Sequence, residues 1–186
     1  MGVAIAVAAL VAGCGIGTQS EPEPIAPEDV PFGLLDPPAE TVSPNEPAGV
    51  PFVVYFVTAD GTALTPAVRT AFAPASTAAV LRALVTGPTE TEAASGLSTA
   101  LPPDTTARPV VVTVDLAVIE LGGGFGDVSG EDAVTAMAQI VFTVTEAAGV
   151  GSVQFRLDDE PLEVPRGDGA LTSAPVERSD YPDLAP

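Results

Sequence analysis

The stretch PASTAAVLRALVTGP, Pro74 to Pro88, decides how the chain is read. Val80, Leu81, Leu84 and Val85 recur at helical spacing and form one apolar face. Pro74 or Ser76 supplies a start signal, and Gly87-Pro88 a stop, because glycine accepts the left-handed cap and proline cannot continue the helix. An amphipathic helix bounded so sharply needs a sheet or a second helix to bury its stripe, and both flanks offer one.

Upstream, Phe52-Val53-Val54-Tyr55-Phe56-Val57 is a dense β-branched and aromatic run that predicts a first strand, central in its sheet. Asp60-Gly61 is a hairpin turn signal, and Leu64 to Phe72 a looser second strand, which Pro66 pushes to an edge. Downstream, Thr89 to Ala107 has no clean period and holds Gly96, Pro102 and Pro103, so it is expected as a packed loop pinned by Leu97 and Leu101.

Val110 to Val114 and Val118 to Leu121 predict a strand pair, broken at Gly122-Gly123-Gly124-Phe125-Gly126. Ser129 and Asp132 resemble a capping box opening a long helix to about Ala147, with Val134, Met137, Ile140, Val141 and Val144 on its buried face. After Gly149, Ser152 to Leu157 alternates Val153, Phe155 and Leu157 inward with Gln154 and Arg156 outward. Asp158-Asp159 turns the chain into a short partner strand around Leu162 to Val164. The order strand, helix, strand pair, helix, strand is that of an α+β fold: a mixed β-sheet with two helices packed on one face, split βαβ-like. From Arg166-Gly167-Asp168-Gly169 a polar tail follows, with Leu171, Val176, Tyr181 and Leu184 too widely spaced for regular structure and expected to wrap the domain loosely.

The folded part thus spans residues 51–165, followed by the tail at 166–186. Residues 15–50 form a different segment: prolines accompany Glu21, Glu23, Glu28, Asp29, Asp36, Glu40 and Glu46, with no basic residue. Such a composition favours an extended, disordered tether and a spacer role. Before it, Val3 to Ala12 is an apolar run too short to span a membrane, where about 20 residues are needed, but suited to a signal-peptide core. It ends in Leu10-Val11-Ala12-Gly13-Cys14, which resembles a bacterial lipobox. The resemblance implies that Cys14 is lipidated and that residues 1–14 are a signal peptide ending in that cysteine. Met1-Gly2-Val3 carries no positive charge, so the expected start codon lies upstream.

Composition narrows the chemistry. The 186 residues carry 25 acidic groups against six arginines, no lysine and no histidine, for a net charge of −19. That charge opposes nucleic acid, and the missing histidine removes the commonest general base and metal ligand. With no lysine there is no Schiff-base chemistry, and with Cys14 alone no disulfide or CxxC site.

Three stretches resemble the GerMN domain of sporulation and germination lipoproteins common in actinobacteria: Val54-Tyr55-Phe56; Ala83 to Thr89 with Gly96 to Pro102; and Gln139-Ile140-Val141-Phe142-Thr143 leading to Val153-Gln154-Phe155. Pro161-Leu162 fits as well. The resemblance implies a fold akin to ring-building modules of the sporulation apparatus, a role in envelope or cell-wall assembly, and no established catalytic residues.

Other constellations have plainer readings. Gly122 to Gly126 lacks phosphate-loop spacing and reads as a turn. Asp158, Asp159 and Glu160 lack a calcium-loop pattern, and Asp104, Asp115, Glu120 and Asp127 become a glycosidase pair only if two of them converge. Arg82 and Arg156 are expected to pair with surface acids. The sequence therefore predicts a lipid-anchored protein on the outer face of the cell membrane whose module binds another envelope protein, with no enzyme activity, cofactor or metal. A ligand-binding or sensor lipoprotein is the alternative, and a carboxylate-dependent wall enzyme stands third. Lipidation at Cys14 is the one site assigned, and oligomeric state is left open.

Overall fold

A computed structural model describes residues 49–71 and 75–186. Cys14, the leader, nearly all of the tether and the end of the second expected strand at Phe72 lie outside the described residues.

Strand β1 (Val50–Val57) pairs antiparallel with β2 (Leu64–Ala71), from Val50 opposite Ala71 to Val57 opposite Leu64. The turn between them is tied by Asp60, whose carboxylate accepts from the Thr58 hydroxyl at 2.6 Å and the Thr62 amide at 3.1 Å. Those bonds, the Thr58 hydroxyl foremost, hold the Asp60 carboxyl down at about 2. Helix α1 (Thr77–Thr86) starts at Ser76, whose hydroxyl accepts from the Ala79 amide, and ends at Gly87 with φ +85°, where a side chain would be strained.

The segment expected as a packed loop contains a helix instead. Helix α2 (Glu90–Ala94) is opened by a capping box in which Thr89 and Glu92 satisfy each other's backbone amides. The strand pair is β3 (Thr106–Val112) with β4 (Leu116–Gly122), antiparallel with a bulge between Pro109 and Val111. β3 thus begins four residues earlier than its valines suggest, and Val114 lies in the following turn, 83% exposed.

Helix α3 (Gly130–Ala148) follows Ser129 and ends at Gly149, φ +67°. The expected capping box is absent, since Ser129 makes no side-chain cap bond. Every residue from Ala136 to Val144 is buried, so the helix has neighbours all round rather than a single buried face. β5 (Ser152–Leu157) runs parallel to β4, and β6 (Glu160–Pro161) returns antiparallel, giving the sheet order β3-β4-β5-β6. The short partner strand therefore sits two residues before its expected place. Val164 instead opens β7 (Val164–Pro165), which pairs with β8 (Leu171–Thr172).

The architecture is the α+β class, with a mixed sheet and helices α1 and α3 packed against it and each other. Ala117, Ile119 and Leu121 of β4 and Val153 and Phe155 of β5 fill the core with the helices' Leu81, Leu84, Met137, Ile140 and Val141. Two expectations fail. β1 is not central in the sheet: it belongs to a two-stranded hairpin packed on α3 and α1. A continuous apolar run marks burial on both faces, but does not say whether strands or helices cover it. The tail is not loose either. Val176 bridges Val153 through two backbone bonds of 2.9 and 2.8 Å, and both Val176 and Tyr181 are wholly buried.

Candidate functional site

Two strand edges differ in how their polar backbone is treated. The edge of β1 away from β2 is closed by α3. Gln139 Nε2 donates to the Tyr55 carbonyl at 3.0 Å, and the Tyr55 amide donates to Thr143 Oγ1 at 3.0 Å. Gln139 Oε1 also accepts from the Ala100 amide at 2.6 Å, and Val57 exchanges backbone bonds with Ser98 at 2.9 and 3.0 Å. Four residues apart on one helix, Gln139 and Thr143 present a donor and an acceptor to one strand residue. Above this edge Arg178 stacks 5.5 Å from the Tyr55 ring and 5.1 Å from that of Phe142, and donates to Glu146 and Thr145 at 2.7 Å. On the β2 side Arg69 grips Glu92 with two 2.7 Å bonds, which hold the Glu92 carboxyl down at about 2.

The outer edge of β3 is treated in the opposite way. β3 ends the sheet, and among the described residues no hydrogen bond reaches its backbone over 106–112 from any element other than β4. Val110, Val111 and Val112 are 39%, 47% and 44% exposed. An unpaired strand edge with exposed apolar side chains is a template for adding another chain. Beside it, α1 and the start of β3 enclose a groove of about 360 Å³ that holds Arg82 and Arg108.

A larger cleft of about 660 Å³ lies between the start of α3 and the tail, lined by Val134, Pro165 and Leu171 and by the acids Glu131, Glu163 and Asp168. A neighbouring cleft of about 460 Å³ shares Val128 and Ser129 with it and holds Asp127 and Asp132.

Of the carboxylates singled out for glycosidase chemistry, only Asp127 lines either of these two clefts. Asp115 precedes β4, and Glu120 lies five residues on, about 16 Å along an extended chain at ~3.3 Å per residue. Asp127 faces the second cleft, whose lining does not include Asp104, Asp115 or Glu120. Glu120 is buried: one oxygen accepts the Asp159 amide at 2.9 Å, the other lies 3.8 Å from Arg156. Asp158 and Asp159 occupy the hairpin turn in left-handed conformation, with φ 52° and 64°, and the Asp159 carboxylate faces Arg108 and Arg156 at 3.9 Å. It is thus opposed by cations rather than grouped with acids for calcium. Among the described residues no group of three or more acidic, histidine or cysteine side chains is placed to hold a metal.

The glycine run leads into a 3-10 turn (Gly123–Asp127) around buried Phe125. A Cβ on Gly123, at φ +70°, would come within 1.8 Å of the Asp104 carbonyl oxygen, so this glycine serves close packing. Of the two arginines expected to find acids, Arg156 does so, whereas Arg82 makes no ion pair among the described residues. Tyr181, expected in a loose tail, is fixed in the core instead. Its hydroxyl donates to the Pro165 carbonyl at 3.0 Å, and burial pushes its phenol well above the usual range.

Comparison with known proteins agrees with this geometry. A family model described as "Germane: Sporulation and spore germination" matches residues 53–163. Among solved structures, the chain is similar to the tandem GerMN domains of the sporulation protein GerM from Bacillus subtilis, at 21% identity and a TM-score of 0.56, over 72% of this chain and 48% of that one. It is similar also to the first GerMN domain of that protein alone, at 21% identity and a TM-score of 0.55, over 70% and 98%. The chain thus spans about half the length of the tandem neighbour and nearly all of the single domain. No curated protein matches it.

Proposed function

The chain belongs to the Germane family of sporulation and spore germination, and on that premise we propose that it is a lipid-anchored, extracytoplasmic module that works by binding another envelope protein. In this reading Cys14 is acylated and becomes the mature N-terminus. Two or more acyl chains give the stable anchoring that one chain, at ~0.8 kcal/mol per buried methylene, does not. The acidic, proline-rich residues 15–50 hold the domain away from a bilayer whose anionic surface repels them.

One observation carries the binding role: the open, valine-rich outer edge of β3. The fold satisfies the edge of β1 with three separate contacts and, among the described residues, gives this one no hydrogen-bond partner beyond β4. A non-catalytic role is supported by a chain without histidine or lysine and by the absence of a second singled-out carboxylate beside Asp127 in the clefts described. The role has no need of a cofactor.

Full-length protein captured from the membranes of its host, beside Cys14→Ser and Val111→Lys variants, tests the reading. Mass spectrometry should find the N-terminal peptide carrying acyl groups on Cys14, and one envelope protein enriched with wild type and lost with Val111→Lys. An unmodified Cys14 removes the anchor. A partner retained equally by Val111→Lys removes the edge.

The cleft of about 660 Å³ favours a second reading, an extracytoplasmic ligand-binding protein, because its size lies within the ~300–1,000 Å³ of small-molecule sites. Its three acids suit a cationic ligand. A thermal shift with small amines that Glu163→Gln abolishes would move the assignment there.

A further inference from the structure

The groove beside β3 holds the only arginine left without an acid among the described residues. One wall is the outward side of α1, with Ala78, Arg82 and Val85, and the other is the start of β3, with Thr105 and Arg108. Three independent features meet there. The outer backbone of β3 accepts and donates no hydrogen bond among the described residues. Arg82 has no ion pair among the described residues, and Arg108 has only a 3.9 Å approach to the highly exposed Asp159. Thr105 is 3% exposed, yet its hydroxyl has no hydrogen-bond partner among the described residues, against the rule that buried polar groups are satisfied.

We propose that this groove binds an extended peptide segment of a partner protein, which adds as a strand to the edge of β3 and sets a carboxylate against Arg82. Strand addition supplies main-chain bonds, and the side-chain pockets along the groove supply selectivity. The selectivity here is electrostatic. In a chain of net charge −19, two of the six arginines line one small groove, so it is a local attractor for an acid on a surface that repels acids elsewhere. Arg82 offers a carboxylate a planar fork of donors. Ala78 and Val85 leave room for small aliphatic side chains beside it. The added strand is short: Pro109 has no amide hydrogen and the bulge follows at once, so the regular part of the edge here runs from Thr106 to Arg108.

The inference rests on the reading of the domain as an interaction module and names the chemistry of what that module takes. Fluorescence anisotropy of the full-length protein in nanodiscs tests it, with three labelled probes: a short peptide alternating valine and glutamate, the same peptide with lysine for glutamate, and the glutamate peptide with alternate amides N-methylated. The glutamate peptide should bind saturably. Arg82→Gln and N-methylation should each weaken it about tenfold or more, near 1.4 kcal/mol, and the lysine peptide should not bind. Arg82 is exposed, so Arg82→Gln should melt with the wild type, which separates lost recognition from lost folding. Absence of saturable binding, indifference to both changes, or equal binding of the lysine peptide would overturn the proposal. If the peptides fail while Val111→Lys still loses its envelope partner, the module reading stands and the groove falls; if both fail, both fall.

Discussion

Two strand edges, β1 and β3, carry similar β-branched sequences and meet opposite fates. At β1 the exposed polar backbone is covered by Gln139, Thr143 and Ser98, and the strand sinks until Val54 to Val57 are all buried. At β3 no hydrogen bond from the described residues other than those of β4 reaches the backbone, although α1 packs beside the strand, and Val110 to Val112 stay partly exposed. Proteins normally blunt free edges with charge, proline or bulges, because a bare edge recruits other chains. β3 has Arg108, Pro109 and a bulge near its middle, which divide the open edge into two short stretches without closing either. The difference teaches that burial follows from what can satisfy the backbone, not from how apolar the strand is.

The largest effect should come from opening the sealed edge. Gln139→Leu leaves the Tyr55 carbonyl and the Ala100 amide unsatisfied inside the protein, at about 1–3 kcal/mol each, so a loss of about 3 kcal/mol is expected in denaturant unfolding. Thr143→Val orphans only the Tyr55 amide and should cost about 2 kcal/mol. Both act on Tyr55, so the double variant should fall short of the sum. If either variant unfolds like the wild type, the side chains do not seal the edge.

Acid sharpens the contrast next. Asp60 and Glu92 have carboxyls lowered from 3.8 and 4.5 to about 2. Groups whose folded value is depressed stabilise the fold above their unfolded value, and that contribution disappears as pH falls toward the folded one. Lowering pH from about 4.5 to 2 should therefore loosen the β1-β2 hairpin and its tie to α2, read as faster amide exchange there than in β4 or β5. Glu92→Gln should remove part of that pH dependence. The smallest stability change belongs to the open edge: Val111→Lys should alter unfolding by no more than about 0.5 kcal/mol, as surface substitutions generally do.

Periodicity in the sequence was enough for α1 and α3 and for β1, β2, β4 and β5, because each carries a stripe or run of its own. The covering of β1 by α3 was harder to see, since Gln139 and Thr143 lie over 80 residues away from Tyr55. The hint was a Gln and a Thr four residues apart within an otherwise apolar stretch of α3, a spacing that puts two polar groups on one buried line. Thr89-x-x-Glu92 was a legible capping box inside a stretch whose glycine and prolines suggested only loop. Tyr181 gave no periodic signal: an isolated aromatic is buried by tertiary packing in the core and a bond to Pro165 of β7, which local pattern does not encode. Of the site, the valines of β3 were readable as strand, but their exposure depends on β3 ending the sheet, a matter of topology. Arg82 was expected to find an acid because cations are scarce; that scarcity instead makes its isolation informative.

The most direct test places a photo-crosslinking residue at Val111, and separately at Glu163 on the far cleft, in the full-length protein within its own host. The account predicts a discrete adduct with one envelope protein from position 111 and none from 163. No adduct from 111, or the same products from both positions, would contradict it.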